Sequence, residues 1–181
     1  MDPSSDGAAN DVPGRARIRP AAHGDVPAIV DLVHDLARYE RASEEVQLRA
    51  DALEDALFGR PPQAGCLVAE HERAVVGFAL YFFSFSTWTG RQGIWLEDLY
   101  VRPEQRGHGV GTALVAALAD LAIQSGRERL EWSVLDWNRP AWDFYAGLGA
   151  TAMSEWTTHR LSGQALRALG TRNAADPVPW D

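Results

Sequence analysis

Three glycines at alternate positions, Gly107, Gly109 and Gly111, constrain the fold of this chain more than any other feature. An apolar run at residues 94–101 precedes them and predicts a buried strand, and leucines at helical spacing follow them. Glycine permits sharp turns and lets backbone N–H groups approach a ligand closely. The start of a helix adds N–H groups without intrahelical partners and the positive end of a dipole. The segment therefore predicts a site for an anion such as a pyrophosphate.

A Walker A loop is excluded, because it requires Gly-Lys-Ser/Thr and residues 106–112 contain no lysine. Two other interpretations of this glycine-rich loop remain open, a dinucleotide site and a simple turn at the start of a helix. A dinucleotide fingerprint would need a third glycine where Thr112 stands, and it would place its glycines directly after the strand, whereas residues 102–105 intervene here. A dinucleotide site and a simple turn at the start of a helix are thus disfavoured but retained as alternatives.

The periodicity of the remaining sequence predicts a mixed α/β sheet with helices packed on it. Asp25 is predicted to cap the first helix, and Asn138 is predicted to cap a later one. The predicted strands lie near residues 17–19, 66–70, 75–85, 94–101, 129–135 and 153–161. The predicted helices cover residues 25–40, the region from 50 to Gly59, the region from 110 to 121, the region from 138 to 147, and residues 164–169.

Composition limits the partners and the organisation of the chain. The formal charge of −8 disfavours nucleic acid and anionic membranes, which require clustered Lys and Arg. It suits a cationic ligand, although acidity also simply favours solubility. With one cysteine, with no stretch of ~20 apolar residues and with no metal-ligand spacing among the histidines, we expect a cytoplasmic protein without a metal. We expect a disordered tail at residues 1–15, a single domain at 16–170 and a C-terminal tail at 171–181.

A series of short segments in fixed order carries a family resemblance. These segments are IRPA at 18–21, DLARYE at 35–40, CLVAE at 66–70, VGFA at 76–79, Trp88, LED at 96–98, RGHGVG at 106–111, WN at 137–138 with Pro140, and FY at 144–145. Together they span roughly residues 17–169, and the sequence resembles the diamine (spermidine/spermine) acetyltransferases of the GNAT superfamily.

The resemblance implies a fold, an activity and a set of coenzyme contacts. The implied fold is the α/β (α+β) GNAT fold, a mixed and mostly antiparallel central sheet with helices on both faces. The implied activity is transfer of the acetyl group of acetyl-CoA to a primary amine of a small cationic molecule, by a homodimer. The implied coenzyme-binding residues are Leu99, Tyr100, Val101, Arg106, Gly107, His108, Gly109, Val110, Gly111, Thr112, Asn138 and Tyr145.

Acetyl transfer requires a base and an acid. An alkyl amine has a pKa near ~10.4, so a base must remove its proton near neutral pH, and Glu97 is the candidate. Asp98 would point to the opposite face of a regular strand, and the two acids share a pocket only if a β-bulge interrupts the alternation, as the resemblance implies. The resemblance also implies that Tyr145 protonates the leaving sulfur. Without the resemblance, the sequence would predict that Tyr145 packs in the core. Without a second activated thiol beside Cys66, we expect direct transfer with no acetyl-enzyme.

The amine pocket is also assigned by resemblance. The implied substrate-binding residues are Tyr39, Glu40, Trp88, Glu97 and Asp98. Ser86 and Thr157 stand where the animal polyamine enzymes carry acids, so the substrate could be a diamine or a lysine-like amino acid such as thialysine in place of a long polyamine. Acetylation of a protein lysine or N-terminus, and a non-catalytic acyl-CoA-binding module, are the alternative functions.

Overall fold

The computed structural model describes residues 16–171, which form two compact units divided after Asn138. The predicted tail at residues 1–15 lies outside the described residues, as do residues 172–181. The limits of the predicted single domain stay a prediction, and the two units are described separately below.

Among residues 16–171, the first unit contains the sheet and three α-helices, and the second contains two α-helices. The strands are β1 (Arg17–Pro20), β2 (Gly65–His71), β3 (Ala74–Ser86), β4 (Arg91–Val101) and β5 (Leu130–Glu131). The helices of the first unit are α1 (Val26–Tyr39), α2 (Ala50–Phe58) and α3 (Val110–Gln124). The helices of the second unit are α4 (Arg139–Gly147) and α5 (Gly163–Gly170).

The five strands lie in the order β1-β2-β3-β4-β5. The first three pairings are antiparallel and the last, between β4 and β5, is parallel, which confirms the predicted mixed and mostly antiparallel sheet. Within the described residues, β5 pairs with β4 only at Ile94↔Leu130 and Trp95↔Glu131. The outer edge of β4 after Trp95 therefore has no ladder to β5.

Helices cover both faces of the sheet, as predicted. Consecutive residues of a strand point to opposite faces, and the fully buried pair Phe78 and Ala79 on β3 separates the two cores. Phe78 packs with apolar residues of α1 and α2, including Leu32. Ala79 packs with α3, including Leu114. β3 thus contributes one residue to the core on each side of the sheet. Because β4 pairs with β3, the two cores show to which side the paired β4 residues point.

Asp25 stands at the N-cap position of α1, as predicted, but its side chain makes no capping hydrogen bond to that helix. Its carboxylate instead accepts hydrogen bonds from the Ala22 N–H at 2.8 Å and from Arg19.

Two predicted strands were wrong. The strand predicted at 129–135 is limited to β5, because its ladder to β4 ends at Trp95. Residues 153–161 form no strand, since β-branched and aromatic composition does not suffice without a partner ladder.

The β3–β4 hairpin extends past the rest of the sheet. The pairing of β2 with β3 ends at Gly65↔Tyr81, whereas β3 and β4 remain paired as far as Ser86↔Arg91. We call residues 82–93 the hairpin extension. Its exposed side chains are large and apolar: Phe82 (39% exposed), Phe83 (52%), Phe85 (62%) and Trp88 (87%).

Candidate active site

A β-bulge in β4 brings two acidic residues to one face of the sheet. Leu80 of β3 pairs with Asp98, but the next residue, Tyr81, pairs with Leu96, so Glu97 is an extra residue in β4. Leu96 and Leu99 both pack in the core on the α3 side. Glu97 and Asp98, which lie between them, therefore point to the α1 side, and the expected bulge is confirmed.

The two acids differ in environment. Burial, the adjacent Glu97 carboxylate and the Glu40 carboxylate raise the pKa of Asp98 to about 6. Glu40 follows α1, and its own pKa is raised by burial. Glu97 is exposed and accepts a hydrogen bond of 3.0 Å from Trp95 Nε1. Glu40, directly after α1, and both bulge residues thus form one acidic cluster around Asp98.

The glycine-rich loop follows β4 and leads directly into α3. Gly107 and Gly109 adopt φ angles of 78° and 80°, which L side chains rarely adopt. Gly109 precedes the first residue of α3, and the first hydrogen bond of the helix runs from the Ala113 N–H to the Gly109 carbonyl at 2.9 Å. The N–H groups of Val110, Gly111 and Thr112 consequently have no carbonyl partner within the helix. This cradle of amides fits a pyrophosphate, which is the group that acetyl-CoA would place there.

Arg106, at the start of the loop, has its guanidinium between two tyrosine rings. Its Cζ atom lies 5.0 Å from the ring centroid of Tyr39 and 5.2 Å from that of Tyr100. Its Nε donates a hydrogen bond of 2.8 Å to the carbonyl of Val101, the last residue of β4. Arg106 therefore fastens the loop to the end of β4 and to the end of α1.

Asn138 is one of the two buried polar residues of the described chain, at 7% exposure. Its backbone N–H donates to the Leu135 carbonyl at 2.9 Å. Its Oδ1 accepts a hydrogen bond of 2.9 Å from the phenol of Tyr39. The predicted substrate residue Tyr39 thus contacts two predicted coenzyme residues, Arg106 and Asn138.

The predicted residue Tyr145 and Thr157, one of the two positions without the expected acid, lie in the second unit. Tyr145 is on α4, with its ring 5.0 Å from that of Phe144. Thr157 lies in the segment between α4 and α5 that has no helix or strand. The approach of Tyr145 to the glycine-rich loop stays a prediction.

Trp88 does not join the acidic cluster within one chain. It lies in the turn of the hairpin extension, where the Ser86 Oγ accepts a hydrogen bond of 3.4 Å from the Thr89 N–H. Asp98 pairs with Leu80, six residues before Ser86 along β3. At ~3.3 Å per residue, the turn is about 20 Å from the acids. Of the five predicted substrate residues, Trp88 is the one that the structure separates from the others.

Cys66 is buried on β2, and burial raises the pKa of its thiol to about 12. His108 is exposed and lines a cavity of about 310 Å³ with His71 and Glu104.

No group of three His, Cys, Asp or Glu residues within 16–171 is arranged to hold a metal ion. No helix in the same range is long and apolar enough to cross a bilayer.

Residues 27–150 match the sequence profile of the Acetyltransferase (GNAT) family. The chain belongs to the GNAT acetyltransferase family. This family uses acetyl-CoA, and the protein is an acetyltransferase. Thialysine N-epsilon-acetyltransferase from Bos taurus is 43% identical over 163 residues, which cover 84% of this chain and 95% of the bovine protein.

A second relative and a solved structure agree with this family. The human spermidine/spermine N(1)-acetyltransferase-like protein 1 is 33% identical over 83% of this chain, although the match covers 23% of the human protein. An integron cassette protein from the mobile metagenome of V. cholerae superimposes with a TM-score of 0.73 at 26% identity, over 86% of this chain and 98% of that one. The GNAT fold expected from the sequence is thereby confirmed.

The sequence alone did not predict two properties of the site in this GNAT protein. It chose Glu97 and did not identify Asp98 as the acid with the raised pKa, because burial on the α1 side depends on packing. The sequence suggested that Arg106 binds the coenzyme and that Tyr39 binds the amine, but it did not predict that the Arg106 guanidinium contacts the Tyr39 ring. No pattern in the sequence signals this contact, since 67 positions separate the two residues along the chain.

Proposed function

We propose that this acetyltransferase transfers the acetyl group of acetyl-CoA to the primary amine of a lysine-like amino acid, such as thialysine, or of a short diamine. The transfer occurs directly, within a ternary complex. The observation that carries the proposal is the bulge at Glu97, which gathers Glu97, Asp98 and Glu40 on the face beside the end of α1. Clustered carboxylates attract a cationic amine and can accept its proton.

Deprotonation of the amine is assigned to the bulge acids. With a pKa near ~10.4, about one alkyl amine in 2,500 is neutral at pH 7. Asp98, with a pKa of about 6, is largely ionised at pH 7 and still basic enough to take a proton efficiently. We assign proton removal to Asp98, while exposed Glu97 and half-buried Glu40 hold the ammonium group. Glu97, the base expected from the sequence, is the alternative.

Coenzyme binding is assigned to the glycine-rich loop and to Asn138. Acetyl-CoA supplies the activated acetyl thioester when it is bound. The amides of residues 107–112 would bind the pyrophosphate, the edge of β4 from Leu99 to Val101 would polarise the carbonyl, and Tyr145 would give a proton to the leaving sulfur. The Cys66 thiol, with its pKa of about 12, stays protonated near neutral pH, which supports direct transfer without an acetyl-enzyme.

The substrate class follows from the charges around the pocket. Ser86 serves the hairpin turn, and neither Ser86 nor Thr157 carries the acid found in the animal polyamine enzymes. A pocket with fewer carboxylates selects less strongly for a tri- or tetra-cation. The similarity to a thialysine acetyltransferase supports the same choice.

The enzyme is proposed to act as a homodimer. Trp88 lies about 20 Å from the acids of its own chain, so it can complete an amine pocket only in a second copy. Such a contact would cover the apolar side chains of the hairpin extension and the edge of β3 beyond Tyr81, which has no ladder to β2 among the described residues. The cytoplasmic location and the absence of a metal requirement stay predictions.

Release of the coenzyme thiol, measured with a panel of amines, tests the proposed function. The panel contains thialysine, lysine, ornithine, putrescine, spermidine, spermine and a histone-like peptide. We expect the highest kcat/KM for the lysine-like amino acids or putrescine. Turnover with the peptide alone would establish a protein acetyltransferase instead, and coenzyme binding by calorimetry without any turnover would establish a non-catalytic acyl-CoA-binding module.

A further inference from the structure

We propose that Tyr39 is a positioning residue of the coenzyme site and does not contact the amine. The inference rests on the proposed function, because it concerns the same reaction. It changes the role that the family resemblance implies for Tyr39, which is a contact with the substrate. Two side-chain contacts, one from the hydroxyl and one from the ring, carry the proposal.

The first contact orients Asn138. The Tyr39 phenol donates to Asn138 Oδ1 at 2.9 Å, and both groups are at least partly buried. An amide whose oxygen accepts from Tyr39 turns its NH2 group to the opposite side of the side chain. Asn138 is the residue expected to bind the pantetheine arm, and it directly precedes α4, which carries Tyr145. The phenol therefore selects which end of this amide faces the coenzyme.

The second contact holds the glycine-rich loop. The guanidinium of Arg106 lies over the Tyr39 ring at 5.0 Å and over the Tyr100 ring at 5.2 Å. The attraction between the cation and each ring favours this placement, and Arg106 Nε also donates to the Val101 carbonyl at 2.8 Å. Tyr39 consequently touches the loop through its ring and Asn138 through its hydroxyl.

Tyr39 and Glu40 act on different substrates, Tyr39 on the coenzyme and Glu40 on the amine. Tyr39 ends α1 with its side chain among coenzyme residues, whereas the Glu40 carboxylate acts electrostatically on Asp98. Consecutive residues at the end of one helix thus serve opposite sides of the reaction. The hydroxyl of Tyr39 should affect the coenzyme, and the carboxylate of Glu40 should affect the amine.

Tyr39→Phe isolates the hydroxyl, because it keeps the ring that holds Arg106. A neutral hydrogen bond of this kind corresponds to about a two- to ten-fold effect. We expect the calorimetric Kd for coenzyme A to rise by that factor, the KM for acetyl-CoA to rise in parallel and the KM for the amine to stay the same. Tyr81→Phe, which removes a half-buried phenol on the α3 side of the sheet, is the matched control and should change none of these constants.

A double-mutant cycle tests whether the hydroxyl acts through Asn138. In an Asn138→Ala background, Tyr39→Phe should have no further effect on the Kd for coenzyme A. Additive effects, or a raised KM for the amine with an unchanged Kd for coenzyme A, would overturn the inference. If Asn138→Ala does not fold in thermal melts, the comparison of Tyr39→Phe with Tyr81→Phe decides alone. The calorimetric Kd needs no turnover, so failure of the proposed function would leave this test intact.

Discussion

Glu97 has no partner on β3, and for that reason Asp98 points to the same face of the sheet as Glu97 does. The burial of Asp98 disfavours its charge, and the neighbouring Glu97 carboxylate on the same face adds repulsion. Both effects raise the pKa of Asp98 to about 6, with Glu40 contributing as well. A single inserted residue thus produces both the geometry and the acidity that proton removal requires.

Asp98→Asn should remove the acid limb of the pH–rate profile. In the native enzyme we expect log kcat/KM for the amine to rise up to about pH 6, where Asp98 becomes ionised. The variant should lose this limb and about 10²–10⁴ in rate, because the amide cannot accept the proton. Steady-state kinetics between pH 5 and pH 9 provide the measurement.

Glu97→Gln is the paired variant, since it removes the other carboxylate of the bulge. If Asp98 is the base, the limb persists in Glu97→Gln and moves to lower pH, because a repelling charge beside Asp98 is gone. If Glu97 is the base, the rate optimum moves to higher pH, where the neutral amine is more abundant. That second outcome, combined with a normal profile for Asp98→Asn, would assign the base to Glu97.

Asp98→Asn should also make the protein more stable. A carboxyl with a raised pKa destabilises the fold once it is ionised, so the cost appears as pH rises from ~3.8 to about 6 and persists above. We expect a gain of up to about 3 kcal/mol in the free energy of unfolding at pH 8 and little gain at pH 4, from urea denaturation.

Asp25→Asn provides a control of opposite sign. The hydrogen bond from Arg19 lowers the pKa of Asp25, so the stabilisation from the ionised form is present above ~3.8 and is lost as pH falls through the lower folded-state value. This variant should lose stability at pH 8. Equal changes in Asp98→Asn and Asp25→Asn would contradict the assigned environments.

Gly109→Ala should weaken coenzyme binding. Gly109 has a φ angle of 80° directly before α3, so a methyl group adds backbone strain of ~1–2 kcal/mol next to the amides that would bind the pyrophosphate. We expect the calorimetric Kd for coenzyme A to rise about ten-fold or more, equal to ~1.4 kcal/mol.

Gly126→Ala separates strain from binding. Gly126 follows the other end of α3 with a φ angle of 69°, and an added Cβ meets no atom within 4 Å at either glycine. It should lower stability by a similar amount and leave the Kd unchanged. A similar loss of affinity in both variants would argue against phosphate binding by the loop.

Tyr145→Phe should lower kcat about ten-fold or more while the Kd for coenzyme A stays the same. General acid catalysis contributes at most ~10²–10⁴, and the substitution removes only the proton that the leaving sulfur would receive. Single-turnover kinetics separate the chemical step from product release. An unchanged rate of the chemical step would remove Tyr145 from the mechanism.

Phe85→Glu should dissociate the proposed homodimer. Phe85 is 62% exposed on the hairpin extension, and a charge there cannot be buried against a second copy without a large cost. Sedimentation velocity should change from dimer to monomer, and the KM for the amine should rise as Trp88 of the second copy is lost. Ile123→Glu, at a residue of α3 that is 75% exposed, is the matched control and should leave the oligomeric state unchanged. A native monomer would refute the composite pocket.

The fold was predictable from the sequence wherever local chemistry decided it. The turn between β2 and β3 falls at Glu72 and Arg73, both at positive φ, as the switch between two β-rich runs predicted. Gly59 ends α2, and Gly109 opens α3, at the predicted places. In each case one or two neighbouring residues set the backbone conformation.

Features that depend on distant partners were not predictable from residues alone. Strict alternation would have sent Asp98 to the α3 side, and only the family resemblance implied the bulge. The apolar composition of residues 153–161 predicted a strand, but a strand forms only where an adjacent strand pairs with it. The place of Arg106 between Tyr39 and Tyr100 depends on the packing of α1 against β4, which no local pattern encodes.

The bulge also makes one acid separable from the rest of the strand. If Glu97 were deleted, Leu96, Asp98, Leu99 and Tyr100 would still alternate between the α3 side and the α1 side as in a regular strand, because their present orientations already obey that order. The second acid is therefore an addition to β4 that leaves the side-chain order of both cores as it would be without it.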